Sequence, residues 1–197
     1  MEQSPRHALA SLLPLLLAGE ESAAQAFHVL GSRRRGQGDS ERLLGSLWRI
    51  GEDERRHERL LRAWQRELPQ LPPDAASQAQ AWRYFRGLAS TDAGLHFTRI
   101  AAVDSAVCQL LSALRRTLPP ATLGPLWQIA RDEARHVVIA RDYALALTDS
   151  AARQRTAAEA REGLAALLAT RADALDALGL DVDAQLKRMA APPPCLR

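Results

Sequence analysis

Cysteine is nearly missing from this chain of 197 residues: Cys108 and Cys195 are the two it has. They lie far apart and form no CxxC pair, which excludes a disulfide framework and a thiol-based metal site and fits a reducing cytoplasm. Aromatic residues make up 5% of the sequence and β-branched residues are sparse, whereas alanine, leucine and arginine abound. That balance works against strands and predicts an all-α fold. No apolar run reaches the roughly 20 residues that a membrane span needs. The run ALASLLPLLLAG is built like a signal-peptide core, but little positive charge precedes it and it continues into EESAAQAF without a cleavage region. The expectation is a soluble protein with no membrane partner. An excess of one charge is lacking too: Lys and Arg number 26 against 23 Asp and Glu, for a net charge of +3 and a pI near 9.4. The arginines are spread among acidic residues on helical faces, so no basic stripe invites a nucleic acid.

What the chain does have is 47% apolar content, enough to bury the core of one domain. Apolar residues recur at three- and four-residue intervals between Gly, Pro and Ser/Asp clusters, which marks long helices. A first helix spans about 6 to 33, with Pro14 expected to kink or interrupt it. A second follows a cap at Asp39 or Ser40 and runs to about Glu67, where LPQLPPD stops it. The stretch AASQAQAWRYFRGLAS suits a short crossover helix, and Thr91 or Asp92 opens a third long helix that ends at TLPPAT. Thr122 is a plausible cap for a fourth, reaching about Thr148. Residues 1–150 thus form a four-helix bundle with a long crossover between its second and third helices. Residues 151–190 form a helical extension, and 191–197 a flexible tail.

The sequence repeats itself. LGSLWRIGEDERRH at 44–57 aligns with LGPLWQIARDEARH at 123–136, so Glu54 and His57 match Glu133 and His136. A fainter echo relates ESA at Glu21 to DSA at Asp104. Positions i and i+3 share a helical face, so each Glu/His pair forms a two-pronged claw. Both claws lie on apolar stripes: Leu43, Leu47, Ile50, Leu61 and Trp64 for the first, Leu126, Ile129, Ala140 and Tyr143 for the second. Glu21 shares a stripe with Leu17, Ala24 and His28, with Glu20 next door as an alternative, and Asp104 shares one with Phe97, Ile100 and Leu111.

Four carboxylates and two imidazoles in one core would be costly without compensation. A pair of iron ions, or manganese, resolves the conflict by supplying positive charge to Glu21, Glu54, His57, Asp104, Glu133 and His136. Asp53, Asp132, Arg56 and Arg135 are duplicated beside the claws and suit a supporting layer that orients the imidazoles through their other nitrogen. His28 is a candidate extra ligand. Trp48 and Trp127, which repeat ahead of the claws, suit core packing.

With these residues in hand, the chain resembles the ferritin-like di-iron carboxylate superfamily over roughly residues 15 to 145. The order Glu, ExxH, carboxylate, ExxH is carried by Glu21, Glu54 with His57, Asp104, and Glu133 with His136. GEESAAQAF is similar to the first-helix signature of rubrerythrins, and DERRH and DEARH are similar to the DExRH motifs of bacterial multicomponent monooxygenases and acyl-carrier-protein desaturases. The departure is Asp104, where most relatives have Glu. The resemblance implies two iron ions that activate oxygen or peroxide, fed by an external electron donor. Two full claws point to an oxidoreductase acting on a small or carrier-bound organic substrate. The alternative it implies is a peroxide-reducing or ferroxidase protein of the rubrerythrin or ferritin kind. Radical-storing relatives carry a tyrosine four positions beyond the first claw histidine; here Leu61 stands there, and Ala140 in the second repeat. The sequence leaves a homodimer open.

Overall fold

The computed structural model describes residues 4–193 and Leu196. Among the described residues the chain is all-helical, with nine helices and no strand: α1 (Pro5–Gly36), α2 (Glu41–Gln65), α3 (Ala75–Gly87), α4 (Ala93–Thr117), α5 (Pro120–Leu123), α6 (Leu126–Leu147), α7 (Ser150–Ala169), α8 (Ala172–Ala177) and α9 (Val182–Ala190).

Side-chain caps set most of the starts. Ser4, Ser40, Asp74, Asp92, Asp149 and Asp181 each accept a hydrogen bond from a backbone N–H in the first turn of the helix that follows. The start of α6 departs from expectation. Thr122 lies inside α5, Gly124 turns the chain at φ +52° and ψ −129°, and Pro125 opens α6 without a side-chain cap. A Cβ on Gly124 would come within 2.7 Å of the Trp64 indole, so glycine is required there by contact as well as by dihedral angle. The expected interruption at Pro14 is absent, since α1 runs continuously through it. An internal proline costs a helix about 3 kcal/mol, and burial of Leu12, Leu13, Leu15 and Leu17 around it offsets the loss through tertiary packing.

Two hairpins build the bundle, α1 packing on α2 and α4 on α6. The first is closed by Arg34, whose Nε and Nη2 reach Asp39 Oδ2 and Oδ1 at 2.8 and 2.5 Å. Arg6 donates to the Glu67 carbonyl, which places the end of α2 beside the start of α1. Arg33 Nη1 donates to the Ser90 carbonyl at 2.7 Å, which places the start of α4 beside the end of α1. The segment carrying α3 therefore crosses the length of the bundle. As a result α4 runs parallel to α2 and antiparallel to α1, and α6 returns until Thr148 packs against Gly94. By length and composition α4 is apolar enough to span a bilayer, yet most of it is buried, with α6 and α7 packed against it.

Within the helical extension expected over 151–190, the chain breaks at Thr170 and Arg171 between α7 and α8. Of the tail expected over 191–197, residues 191–193 and Leu196 are described. Leu196 is buried and its carbonyl accepts from Arg153 Nε at 3.0 Å, while residues 194, 195 and 197 lie outside the described residues. Arg161 of α7 is fully buried and ties three helices together. It donates to the Met189 carbonyl (2.6 Å), Ser105 Oγ (2.8 Å) and Gln109 Oε1 (2.8 Å). Arg161→Met should keep the volume but leave these acceptors unsatisfied, lowering stability by at least about 3 kcal/mol in urea unfolding. An unchanged unfolding midpoint would show that this clamp does not hold the C-terminal helices.

Candidate metal centre

The paired claws meet in the middle of the bundle. Glu54 and His57 project from α2, Glu133 and His136 from α6, and all four are buried. Glu20 of α1 joins them, and Glu20, Glu54, His57 and Glu133 bring ligand atoms within 4.8 Å of one another, a group that can hold a metal ion. The Nδ1 atoms of both imidazoles face the carboxylates. His57 Nδ1 lies 3.2 Å from Glu20 Oε2, 3.5 Å from Glu54 Oε2 and 3.4 Å from Glu133 Oε1. His136 Nδ1 lies 2.8 Å from Glu54 Oε1 and 3.7 Å from Glu133 Oε2. The rings stack with centroids 5.8 Å apart. Asp104 of α4 is half-buried next to this group, close enough for the charges of Glu133 and Glu54 to act on it.

Glu20, and not the expected Glu21, is the carboxylate that α1 sends inward. Glu21 instead forms an ion pair with Arg62 on the rim between α1 and α2. The same one-residue rotation removes His28 as an extra ligand. His28 is exposed with its ring edge on Trp48, and Phe27 takes the inward position, 6.3 Å from the His136 ring. Leu43 is likewise exposed, with its neighbour Leu44 in the core. Trp48 packs on Gly31, but Trp127 is 45% exposed and lies under the Arg115 guanidinium at 3.4 Å.

On the side away from the carboxylates, each claw is supported by the other repeat. His57 Nε2 contacts Asp132 Oδ2 at 3.2 Å, and His136 Nε2 lies 3.5 Å from Asp53 Oδ2, so the aspartate before each claw serves the histidine of the opposite one. Arg56 spans Asp53 (2.9 Å) and Asp132 (2.6 Å), and Arg135 spans Asp53 (2.6 Å) and Asp132 (3.3 Å). This exchange joins α2 to α6, and the contact of His57 Nε2 with Asp132 favours a proton on that nitrogen. Nδ1 of each ring is left to face the carboxylates, the side on which a metal would bind.

Electrostatics show how the protein manages these charges without a metal. Burial raises Glu20 and Asp104 well above the ordinary carboxylate range, and repulsion from Glu54 and Glu133 adds to the effect. For Glu54 burial acts upward, but the facing imidazoles of His136 and His57 prevail and hold it at about 2. Burial also works against charged imidazoles. The carboxylates nevertheless raise His57, and raise His136 to about 11. The metal-free core therefore stores protons on groups that would otherwise be ligands. Cys108 takes no part as a thiolate, since burial pushes it up to about 12.

Among the buried atoms that lack a hydrogen-bond partner in the described residues are His136 Nδ1, whose approach to Glu54 has unsuitable angles, and Asp104 Oδ2. Unsatisfied donors and acceptors at this depth are expensive. A cation placed among them would satisfy both, and an oxygen-rich set with two imidazoles suits iron or manganese better than a thiol-seeking metal. The residues present therefore fit such a metal. Comparison with family models, curated proteins and solved structures finds no match to this chain.

The roles of neighbouring glutamates can be separated directly. Glu20→Gln should weaken metal binding by at least about tenfold, because it removes an anionic donor facing His57. Glu21→Gln should leave binding unchanged and alter stability by about 0–1 kcal/mol, the usual worth of an exposed ion pair. Titration with Mn(II), followed by calorimetry, reads both; the reverse order would return the ligand role to Glu21.

Proposed function

We propose that this chain is a ferritin-like di-iron carboxylate oxidoreductase that activates O2 to oxidise a small or carrier-bound organic substrate. Hydroxylation, N-oxygenation, desaturation and oxidative cleavage all belong to this reaction class. The order of helix directions, with one long crossover and the claws at the centre, supports the ferritin-like reading. When bound, the metals would supply the redox chemistry, with electrons from an external donor.

The observation that carries an organic substrate is the space beside the cluster. A cavity of about 460 Å³ lies between α1 and α4 and reaches Glu20, Glu54, Asp104 and Glu133. A protein that only oxidises iron or reduces peroxide has no need of such a space, whereas a substrate-oxidising site has to bury its ligand. Within it the protein's own groups have defined tasks. Glu20, Glu54, Asp104 and Glu133 would hold the metals, Asp132 orients His57 through Nε2 while Asp53 lies beside Nε2 of His136, and the aliphatic walls exclude water.

The test is metal content followed by reactivity. About two irons per chain are expected, with oxygen uptake that depends on reductant and is accelerated by a cavity-filling organic compound. Preferential consumption of hydrogen peroxide, indifferent to every organic compound, would establish the peroxide-reducing or ferroxidase alternative instead.

A further inference from the structure

The cavity has an order of chemistry along its length. At one end stand Arg33 of α1 and His96 of α4; in the middle, Glu20 and Asp104; at the other end, Leu15, Leu110 and Leu168. Because α1 and α4 are antiparallel, the two walls agree on this order. From Leu15 to Arg33 the α1 wall is about 27 Å long at 1.5 Å per residue, so the space is elongated rather than round. Most side chains between the polar stations are aliphatic or small, among them Ala23, Ala26, Val29, Val103 and Val107, with Gln25 and Arg86 as polar exceptions in the lining. α3 contributes Phe85, and α7 closes the far end with Leu164 and Leu168, which gives the C-terminal extension a role in the site.

The polar end is built to receive an anion. Arg33 makes one hydrogen bond, to the Ser90 carbonyl, and no carboxylate pairs with it among the described residues. Arg56, Arg62 and Arg135, by contrast, all have carboxylate partners. His96 is 3% exposed and lines the cavity, and its Nδ1 has no hydrogen-bond partner among the described residues. Burial first, then the Arg33 and Arg99 charges, lower this imidazole to about 4, so at neutral pH it is an uncharged ring able to donate from one nitrogen.

We propose that the cavity binds a long, straight aliphatic chain ending in a carboxylate. The head group sits between Arg33 and His96, the middle of the chain passes Glu20 and Asp104, and the tail fills the leucine end. As the identity of the substrate this rests on the proposed oxidising function; as a binding site it rests on the cavity alone. The arrangement also selects where on the chain a reaction would fall. With the head fixed by Arg33 and His96, mid-chain carbons and not the carboxyl end lie beside the metal ligands.

Binding is measured on the metal-free protein by calorimetry with dodecanoate, tetradecanoate and hexadecanoate, with the methyl ester and the primary amine of the same chains as controls. The carboxylates should bind at least about tenfold more tightly than the esters, the margin expected for a charge-assisted hydrogen bond, and the amines more weakly still. Arg33→Glu should remove the preference for carboxylate over ester while retaining the fold by circular dichroism. Val107→Trp should block all the chains, and its Mn(II) binding serves as a check that the bundle is intact. Equal binding of acid, ester and amine would overturn the head-group assignment, and absence of binding, or binding unaffected by Val107→Trp, would overturn the cavity as the site. Metal content is read separately, so a chain that binds carboxylates but loads no iron would reject the oxidising function and leave this site standing.

Discussion

Glu54→Ala is expected to abolish metal loading, taking iron from about two per chain to a trace, because Glu54 faces both imidazoles and is the carboxylate nearest His136. Its Oε1 lies 2.8 Å from His136 Nδ1 and its Oε2 3.5 Å from His57 Nδ1. The same change should harm the metal-free protein. Removing one member of a buried charged pair strands the other, at a cost of about 3–5 kcal/mol. Glu54→Gln separates the two effects: it keeps the volume and most of the hydrogen bonding, so folding should suffer less while metal loading is still lost. Metal analysis after anaerobic reconstitution and urea unfolding of the metal-free forms provide the two readings. Wild-type loading of Glu54→Ala would remove the claws from the metal centre altogether.

Much of this arrangement can be read from the chain itself because a few signals are strong. The duplicated claws are strong because Glu54, His57, Glu133 and His136 repeat within long matching stretches and sit on apolar faces. The all-helical fold and the length of the crossover follow from caps and breakers such as Ser40, Asp92 and the LPQLPPD stretch. Register on α1 is harder. The local match of ESA with DSA pairs Glu21 with Asp104, an offset of 83, whereas the fold pairs Glu20 with Asp104, an offset of 84. Core positions obey the second offset: Leu13 with Phe97, Leu17 with Ala101, Phe27 with Leu111 and Leu30 with Leu114 are all buried. The two tryptophans obey it as well, Trp48 resting on Gly31 and Trp127 under Arg115. One helical position is a rotation of about 100°, enough to exchange a ligand for a rim ion pair and to swap His28 for Phe27. Burial along the whole helix, rather than a three-residue match, carries the information.

Other features depend on contacts between distant segments. The crosswise pairing of Asp53 with His136 and Asp132 with His57 requires α2 and α6 to lie antiparallel at one depth, and each claw viewed alone gives no reason for the exchange. The two arginines explain its persistence. Arg56 and Arg135 each contact both aspartates, so neither aspartate can follow its own histidine without breaking two ion pairs. The polar mouth at Arg33 and His96 is equally non-local, since it exists only because the crossover brings the start of α4 to the end of α1.

The second large effect is a coupling between metal and protons. Metal ligands have to be deprotonated, and in the metal-free core Glu20 and Asp104 are raised by burial while His57 and His136 are raised by their carboxylate partners. Adding Mn(II) to weakly buffered protein should therefore release several protons per chain, and affinity should fall roughly tenfold per pH unit for each proton displaced. The stability of the metal-free form should run the other way. His136 is raised from 6.5 to about 11, so its contribution is fully present below the unfolded value and is lost as pH rises through about 11. Glu20 and Asp104, also raised, stop favouring the folded state once pH exceeds their unfolded values. Glu54 has the opposite sign: held at about 2, it contributes above its unfolded value of 4.5 and loses that contribution only as pH falls through about 2. Between about pH 7 and about pH 10 the metal-free protein should lose thermal stability while the stabilisation conferred by Mn(II) grows. A pH indicator during titration, with unfolding curves at the two pH values, checks both halves. Metal binding without proton release would mean that the carboxylates and imidazoles at the centre of the bundle are not the groups that hold the ion.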